Sequence, residues 1–216
     1  MTAKYTCVAM AKTLRIEVAS DVICPWCYIG KRRLEKALAL LGGEIEARIA
    51  WLPFQLNPDM PPEGLLRAEY RRAKFGSVER GKELDARVAR EGAGEGIRFA
   101  FERMQRTPNT LPAHRLIDLA QGQERAESVV AALFRAYFED AQDIGDETVL
   151  AGVAAACGVA GWPQAADAER VAKLEEGVRA LGISGVPTFI FERKSGISGA
   201  HPPAQLAAAI RAAAAA

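Results

Sequence analysis

Apolar and polar residues alternate in two stretches near the beginning of the chain. The first is Leu14 to Ala19, which reads LRIEVA, and the second is Ile45 to Leu52, which reads IEARIAWL. A period of two is typical of a β-strand with one buried face. Between them the apolar residues follow a helical period that begins near Pro25 and ends at the glycines at positions 42 and 43. The order strand, helix, strand predicts a βαβ unit with parallel strands.

A proline-rich connector follows this unit and leads into a long helical region. Residues 53–64 read PFQLNPDMPPEG and hold four prolines, which is typical of an irregular loop. Helical periods then dominate to about residue 182, most clearly over Val129 to Phe138, and Asp146 is a candidate N-cap of a later helix. Residues 97–101 have apolar side chains at every second position and are a candidate extended piece within this region.

Strand-like residues return after Gly185. Residues 188–191 read TFIF, the following ERKSG can turn, and a second short strand can start at Ile197. This pattern predicts a β-hairpin. Pro202 and Pro203 suit the first turn of a final, alanine-rich helix.

Composition and charge exclude several classes of partner. Of the 216 residues, 50% are hydrophobic and 25% charged, which is typical of a globular protein, and the net charge is only +1. No overall field therefore favours nucleic acid or an anionic membrane, and the basic run at residues 67–74, RAEYRRAK, lacks interleaved aromatic residues beyond one tyrosine. No apolar window approaches a membrane span and the opening residues lack a signal-peptide core, so we expect a cytoplasmic protein without a membrane partner.

The segment CPWC at residues 24–27 lies where the first strand gives way to the helix. Side chains three residues apart on a helix are about 5–6 Å apart, so Cys24 and Cys27 can form a disulfide without moving the backbone. Cys24 would face the free N–H groups and the positive end of the helix dipole, which stabilise a thiolate, whereas Cys27 would lie one turn deeper. The sequence predicts that Cys24 attacks and Cys27 resolves.

Two structural alternatives exist for this cysteine pair, namely half of a zinc site or two packed core thiols. A structural zinc site needs four ligands. The other candidate ligands are Cys7, Cys157, His114 and His201. None has a paired ligand spacing, so we predict no metal site and assign no function to Cys7 or Cys157. The basic residues 31–33 that follow the motif are most simply a solvated helix face, and the alternative is that their positive charge tunes the cysteine pair.

Further candidate substrate contacts lie outside the motif. The segment NTLPAHRL contains Asn109 and His114, which could project toward the dithiol and line a substrate groove. The structural alternative is a helix start in which Asn109 or Thr110 is the cap and His114 is a satisfied surface histidine. Trp26 and Phe54 could form an apolar rim, although a phenylalanine such as Phe54 is more often in the core.

Four segments together resemble the DsbA-like family of thioredoxin-fold proteins, and its FrnE branch in particular. They read CPWCYIGKRRLEKAL, WLPFQLNP, RTPNTLPAHRL, and GISGVPTFIF followed by GISGAHP. The resemblance implies an α/β thioredoxin fold made of residues 1–60 and 183–216 and interrupted by an all-helical insertion at residues 61–182. It also implies a cis proline at Pro187, with the peptide of Val186 facing Cys24.

The family includes two chemistries. One group consists of dithiol oxidoreductases. The other group resembles hydroxychromene carboxylate isomerases and kappa-class glutathione transferases. Its members bind glutathione and have serine where the attacking cysteine would be. Both positions are cysteine in this chain, which favours redox chemistry. Those glutathione-binding relatives commonly carry an acidic residue after a Ser-Gly turn, but Ser198-Gly199 is followed by Ala200 here, so the resemblance does not extend to that glutathione contact.

We therefore predict a protein-disulfide oxidoreductase whose catalytic residues are Cys24, Cys27 and Pro187. Candidate substrate-binding residues are Pro25, Trp26, Val186, Asn109, His114 and Ser198. We expect no bound cofactor besides the redox-active disulfide, glutathione as a candidate reductant or co-substrate, and a protein, peptide or small-molecule thiol or disulfide as the partner; a homodimer stays open. The alternatives are a glutathione-dependent isomerase or transferase acting on an aromatic or polyketide-like metabolite, and a non-catalytic binding protein with a vestigial motif.

Overall fold

The structure is a computed structural model that describes residues 12–216; Cys7 lies outside them. The strands are β1 (Lys12–Ser20), β2 (Ile45–Pro53), β3 (Leu65–Leu66), β4 (Arg106–Thr107), β5 (Thr188–Phe191) and β6 (Ser195–Ser198). The helices are α1 (Pro25–Leu40), α2 (Arg67–Phe75), α3 (Val78–Ala93), α4 (Leu111–Gln121), α5 (Ala126–Phe138), α6 (Glu147–Ala156), α7 (Ala168–Ala180) and α8 (Pro203–Ala215). No helix within residues 12–216 is long and apolar enough to cross a membrane.

The first and last parts of the chain share one four-stranded sheet with the order β2-β1-β5-β6. Strands β1 and β2 are parallel, with Ile16 opposite Ile49, and β5 lies antiparallel on the other side of β1, with Phe191 opposite Ile16. Strand β6 completes the hairpin with β5. The predicted βαβ unit and the predicted hairpin are confirmed, and together they form the α/β thioredoxin fold.

One core cluster fills the space between this sheet and α1 and continues into α4, α5 and α6. Ile16 on β1, Ile29 on α1 and Phe189 on β5 are completely buried. Helix α8 packs against α1 and buries Leu206 and Ile210. Fully burying one such side chain stabilises the fold by about 1.5–3 kcal/mol. The helix that carries the CPWC motif is therefore fixed on its sheet-facing side by hydrophobic packing.

The region between the connector and β5 contains α2 to α7, but it also contains β3 and β4, which form a two-stranded antiparallel sheet. Each of these strands has two residues, which is too short to produce a readable alternation. Residues 97–101 form no strand. Instead, the N–H of Ala100 donates to the carbonyl oxygen of Phe138 at 2.7 Å, and the rings of Phe99 and Phe101 stack with centroids 4.7 Å apart.

Helix α1 is also attached to the helical region. The Tyr28 ring stacks on Phe134 of α5 with centroids 5.0 Å apart, and its hydroxyl donates to Glu139 Oε1 at 2.5 Å. Lys31 is only 4% exposed and forms ion pairs with Glu35 and Glu127, each at 2.5 Å. The expectation of a solvated basic face is therefore wrong for Lys31, because acidic residues on α1 and α5 compensate its buried charge.

Candidate active site

Cys24 is the N-cap residue of α1, with an extended backbone (φ −87°, ψ 112°), and Pro25 occupies the first turn. Proline is favourable there because its missing N–H would have no helical partner and its fixed φ suits a helix. The N–H of Cys24 donates to the Asp21 carbonyl at 3.0 Å, while the Cys24 carbonyl accepts from the N–H of Cys27 at 3.0 Å. The Cys24 side chain thus lies at the end of the helix where backbone N–H groups and the dipole favour negative charge.

Both thiols of the motif are free and buried, with Cys24 5% and Cys27 1% exposed. The pKa of Cys27 is raised well above its ordinary value, first by burial and then by its hydrogen bond to Cys24 and the charge of Cys24. Cys27 is therefore a protonated thiol at neutral pH.

Within residues 12–216 no three potential ligands come together in a group that could hold a metal ion. Cys157 is half-buried at the C-terminal cap of α6.

The loop before β5 lies against Cys24. The Cys24 thiol donates to the carbonyl oxygen of Val186 at 3.8 Å, so the Val186 peptide faces the motif. The peptide bond between Val186 and Pro187 is cis. The carbonyl of Pro187 accepts from the N–H of Gly199 at 2.7 Å, and Thr188 Oγ1 donates to the carbonyl of Gly185 at 2.8 Å. These bonds hold the loop to β6 and fix its distance from α1.

Gly30 on α1 makes this close approach of the loop possible, and sequence reasoning missed it. A Cβ at position 30 would lie 2.9 Å from Pro187 Cγ and 3.4 Å from Phe189 Cζ. Real Cβ atoms do not come as close to another atom as the shorter of these distances. The available signal was a glycine in the interior of a predicted helix, which costs helix stability unless packing requires it.

We expect Gly30→Ala to destabilise the protein by about 1–2 kcal/mol, because overpacking against Pro187 costs up to about 3 kcal/mol and outweighs the gain in helix propensity of about 1 kcal/mol. The added methyl group should also move the loop away from Cys24 and slow any reaction that needs both. Urea unfolding and the rate of Cys24 alkylation measure the two effects. Gly177→Ala on α7 is the matched control, since a Cβ there meets nothing within 4 Å and should stabilise the protein. A Gly30→Ala protein as stable as the wild type would contradict this account.

The predicted contacts Pro25 and Trp26 lie on the motif, and Ser198 lies on β6. Pro25 and Trp26 follow Cys24 directly and are half-buried. Ser198 is exposed on β6, where its hydroxyl lies 3.0 Å from Thr188 Oγ1 and donates to it, because the Thr188 hydrogen is used on the Gly185 carbonyl. It is thereby linked to the Pro187 loop. A substrate-binding role for these residues stays a prediction.

Asn109 and Phe54 have structural contacts. Asn109 Oδ1 accepts from the N–H of Leu111 at 2.9 Å at the start of α4, and its Nδ2 donates to the carbonyl of Met60 at 2.6 Å. Both ends of this side chain are therefore engaged with the backbone, as the structural alternative expected. Phe54 is 3% exposed and belongs to a small core cluster with Val178. Its packing fits the core alternative rather than a substrate rim.

His114 is buried behind the motif rather than lying at the surface, so the surface alternative for it is wrong. It is 3% exposed, and its Nε2 lies 3.5 Å from Oδ1 of the completely buried Asp21. The other carboxylate oxygen of Asp21 accepts from the N–H of Leu56 at 2.8 Å. Sequence reasoning missed Asp21, although a carboxylate inside the apolar run before Cys24 was a visible signal.

A small cavity of about 10 Å³ lies beside His114 and Ser20. His114 Nε2 and Ser20 Oγ are buried and have no hydrogen-bond partner among the described residues. A cavity of this size is just large enough for one water molecule. The N–H of Asp21 also acts to lower the pKa of Cys27, although burial dominates. Polar groups therefore lie on the buried side of the Cys27 thiol.

A cysteine pair at the start of α1, a facing cis-proline loop and a β2-β1-β5-β6 sheet define a thioredoxin-fold protein with a dithiol site. The chain belongs to the family of DSBA-like thioredoxin domains, whose family model matches residues 15–211. The FrnE branch within this family stays a prediction.

Solved structures share this fold, and a curated protein is similar in sequence. A probable DsbA oxidoreductase from Streptomyces coelicolor is 30% identical with a TM-score of 0.83, covering 93% of this chain and 89% of that one. The cytosolic disulfide reductase DsbM from Pseudomonas aeruginosa, solved with GSH, is 18% identical with a TM-score of 0.64 over 92% of this chain and 98% of that one, and shows the shared fold. The uncharacterized protein YwbO of Bacillus subtilis is 26% identical over 189 residues, 82% of this chain and 86% of that protein.

Proposed function

We propose that this protein is a thiol–disulfide oxidoreductase in which Cys24 is the nucleophile and Cys27 the resolving thiol. The observation that carries the proposal is the asymmetry of the pair. Cys24 caps α1 and contacts the Val186 carbonyl, whereas Cys27 lies one turn deeper with a raised pKa. One sulfur is thus placed to meet a substrate, and the other is kept protonated until it is needed.

The reaction consists of two thiol–disulfide exchanges. The Cys24 thiolate attacks one sulfur of a substrate disulfide, forms a mixed disulfide and releases the other substrate sulfur as a thiolate. Cys27 then loses its proton and attacks Cys24 Sγ, which releases the second substrate thiolate and leaves the Cys24–Cys27 disulfide. Two electrons pass from the protein dithiol to the substrate disulfide. The same steps run in reverse when a reduced substrate meets the oxidised protein.

Substrate recognition is proposed to use the backbone of Val186. Its carbonyl contacts the Cys24 thiol, and its N–H donates to no backbone or side-chain acceptor among residues 12–216. An extended substrate segment could pair with these two groups as an added strand, with Trp26 and Pro25 beside it. Because Cys24 is only 5% exposed, a slim peptide segment or a small disulfide suits the site better than a bulky one.

We place the reaction in the cytoplasm, with glutathione as the reductant that regenerates the dithiol. In that compartment glutathione and thioredoxin systems keep most thiols reduced. The acidic residue that glutathione-binding relatives carry after the Ser-Gly turn is replaced here by Ala200. Glutathione is therefore proposed to react at Cys24 through its sulfur rather than to stay bound as a cofactor.

Equilibration in buffers of varied glutathione and glutathione disulfide, with acid quenching and mass spectrometry, tests this function. We expect a cooperative two-electron transition in which the protein loses about 2 Da and the Cys24–Cys27 disulfide forms. The measurement is made with Cys7→Ser and Cys157→Ser in place, so that only the motif can react. Thiols that stay unreactive would favour a non-catalytic binding protein. Saturable glutathione binding without a disulfide would favour the isomerase or transferase.

A further inference from the structure

A second, larger concavity lies in the helical region, and no residue of the dithiol or of the Pro187 loop lines it. Its walls are α2, α3 and residues 99–104, and its volume is about 820 Å³. Sites for small organic ligands typically enclose about 300–1,000 Å³. The groove therefore has the size of a ligand site and is separate in its residues from the thiol chemistry.

The wall formed by α2 carries more positive charge than its neighbours compensate. Arg67 and Arg71 both donate to the same oxygen, Oδ2 of Asp85. Arg71 Nη1 and Arg67 Nε are buried and have no hydrogen-bond partner among the described residues. The pKa of Arg71 is lowered, first by burial and then by the charge of Arg67. Two guanidinium groups thus share a single carboxylate, and a further anion would stabilise both.

The rest of the lining repeats this imbalance. Lys82 and Arg103 add two cations, and Glu102 adds one carboxylate to that of Asp85, so four cationic side chains face two acidic ones. The whole chain has a net charge of only +1. The lining of the groove thus carries two more positive than negative side chains, a local charge that can select an anionic ligand.

The groove also has an aromatic wall. Phe99 and Phe101 stack with an interplanar angle of 8°, and the guanidinium of Arg67 lies 5.4 Å from the centroid of the Phe101 ring. Flat hydrophobic molecules pack well on such rings, and the adjacent arginine groups can bind a carboxylate or phosphate in a bidentate manner. A ligand that combines both features would use both walls at once.

We propose that this groove binds a flat organic anion, in which an aromatic body packs near Phe99 and Phe101 and a carboxylate or phosphate group lies near Arg67 and Arg71. The proposal does not depend on dithiol chemistry, since it rests on α2, α3 and residues 99–104 alone. It predicts that the protein recognises a class of small molecule at a place distinct from Cys24.

Calorimetric titration with three naphthalene probes tests the proposal. The probes are 2-naphthoate, 2-naphthyl phosphate and the neutral 2-naphthalenemethanol. We expect at least one anion to bind at least about tenfold more tightly than the alcohol, because charge-assisted hydrogen bonds add to the same aromatic contact. Comparing the two anions decides between carboxylate and phosphate. Equal binding of all three, or no saturable binding at millimolar concentrations, would overturn the proposal.

Variants locate the binding. Arg71→Gln should weaken binding of the anion about tenfold or more and leave binding of the alcohol unchanged. Lys82 is exposed, so Lys82→Gln should fold normally and weaken binding of the anion about two- to fivefold. This variant tests the location of the site if Arg71→Gln fails to fold. Arg72→Gln, an exposed neighbour outside the lining, is the matched control. Cys24→Ser should bind as the wild type does. If Cys24→Ser abolishes anion binding while Arg71→Gln and Lys82→Gln leave it intact, the ligand binds at the dithiol. That result would refute the proposal that the groove binds the anion.

Discussion

Cys24→Ser should reduce the turnover of a disulfide substrate to the uncatalysed background, whereas Cys27→Ser should give a protein that reacts once and stops. Serine cannot form a disulfide, so without Cys24 no mixed disulfide arises. Without Cys27 the mixed disulfide forms at Cys24 but nothing inside the protein releases the substrate. Incubation with glutathione disulfide followed by mass spectrometry distinguishes the two variants. Only Cys27→Ser should accumulate one glutathione adduct per chain.

Cys157→Ser is the matched control for these variants, because Cys157 is a half-buried thiol at the end of α6. It should turn over as the wild type does. The proposed roles fail if the two motif variants are equally active, or if Cys24→Ser accumulates the adduct instead. An adduct on Cys27→Ser that forms at Cys157 would show that the trapped species is unrelated to the motif, and peptide mapping settles this point.

The sequence predicts the sheet well because its strands carry long, regular patterns. Strand β1 alternates over LRIEVA, and its pairing with β2 follows from the helix between them. Strands β3 and β4 have two residues each and depend on a partner distant in sequence, so no local period can reveal them. Residues 97–101 have the alternation of a strand, yet Ala100 bonds to Phe138 at the end of α5 and no strand pairs with them.

In the candidate site, too, local sequence patterns were predictable and contacts between residues distant in sequence were not. CPWC and the GVPTF segment are local patterns, and both lie where the resemblance implied. The contact between Asp21 and His114 joins a loop of the thioredoxin sheet to α4, and only tertiary packing brings them together. The role of Gly30 depends in the same way on the position of Pro187. Sequence reasoning therefore predicted where Cys24, Cys27 and the Pro187 loop lie, but it missed the residues that surround and position them.

The second large effect concerns pH. The internal attack of Cys27 on a mixed disulfide at Cys24 should accelerate about tenfold for each pH unit between pH 6 and 9 and should not level off in that range. The reacting species is the Cys27 thiolate, and the pKa of Cys27 is raised well above the ordinary thiol value of 9.0. In the mixed disulfide Cys24 no longer carries a thiol or a charge, but burial, the largest cause of the shift, remains. The thiolate fraction therefore stays small and proportional to hydroxide concentration throughout this range.

Rapid mixing of the reduced protein with glutathione disulfide, with acid quenching and mass detection, gives the rate at which the adduct disappears. Cys27→Ser is the control, and its adduct should persist at every pH. A rate that is flat from pH 6 to 9 would show that Cys27 is already ionised and would refute the proposed asymmetry of the pair.

The raised pKa of Cys27 also makes the stability of the fold depend on pH. The folded protein holds this proton more tightly than the unfolded chain, so the contribution of Cys27 to stability is complete below about pH 9 and declines as the pH rises further. A loss of stability in that alkaline range, absent in Cys27→Ala, would support the shift by a measurement independent of catalysis.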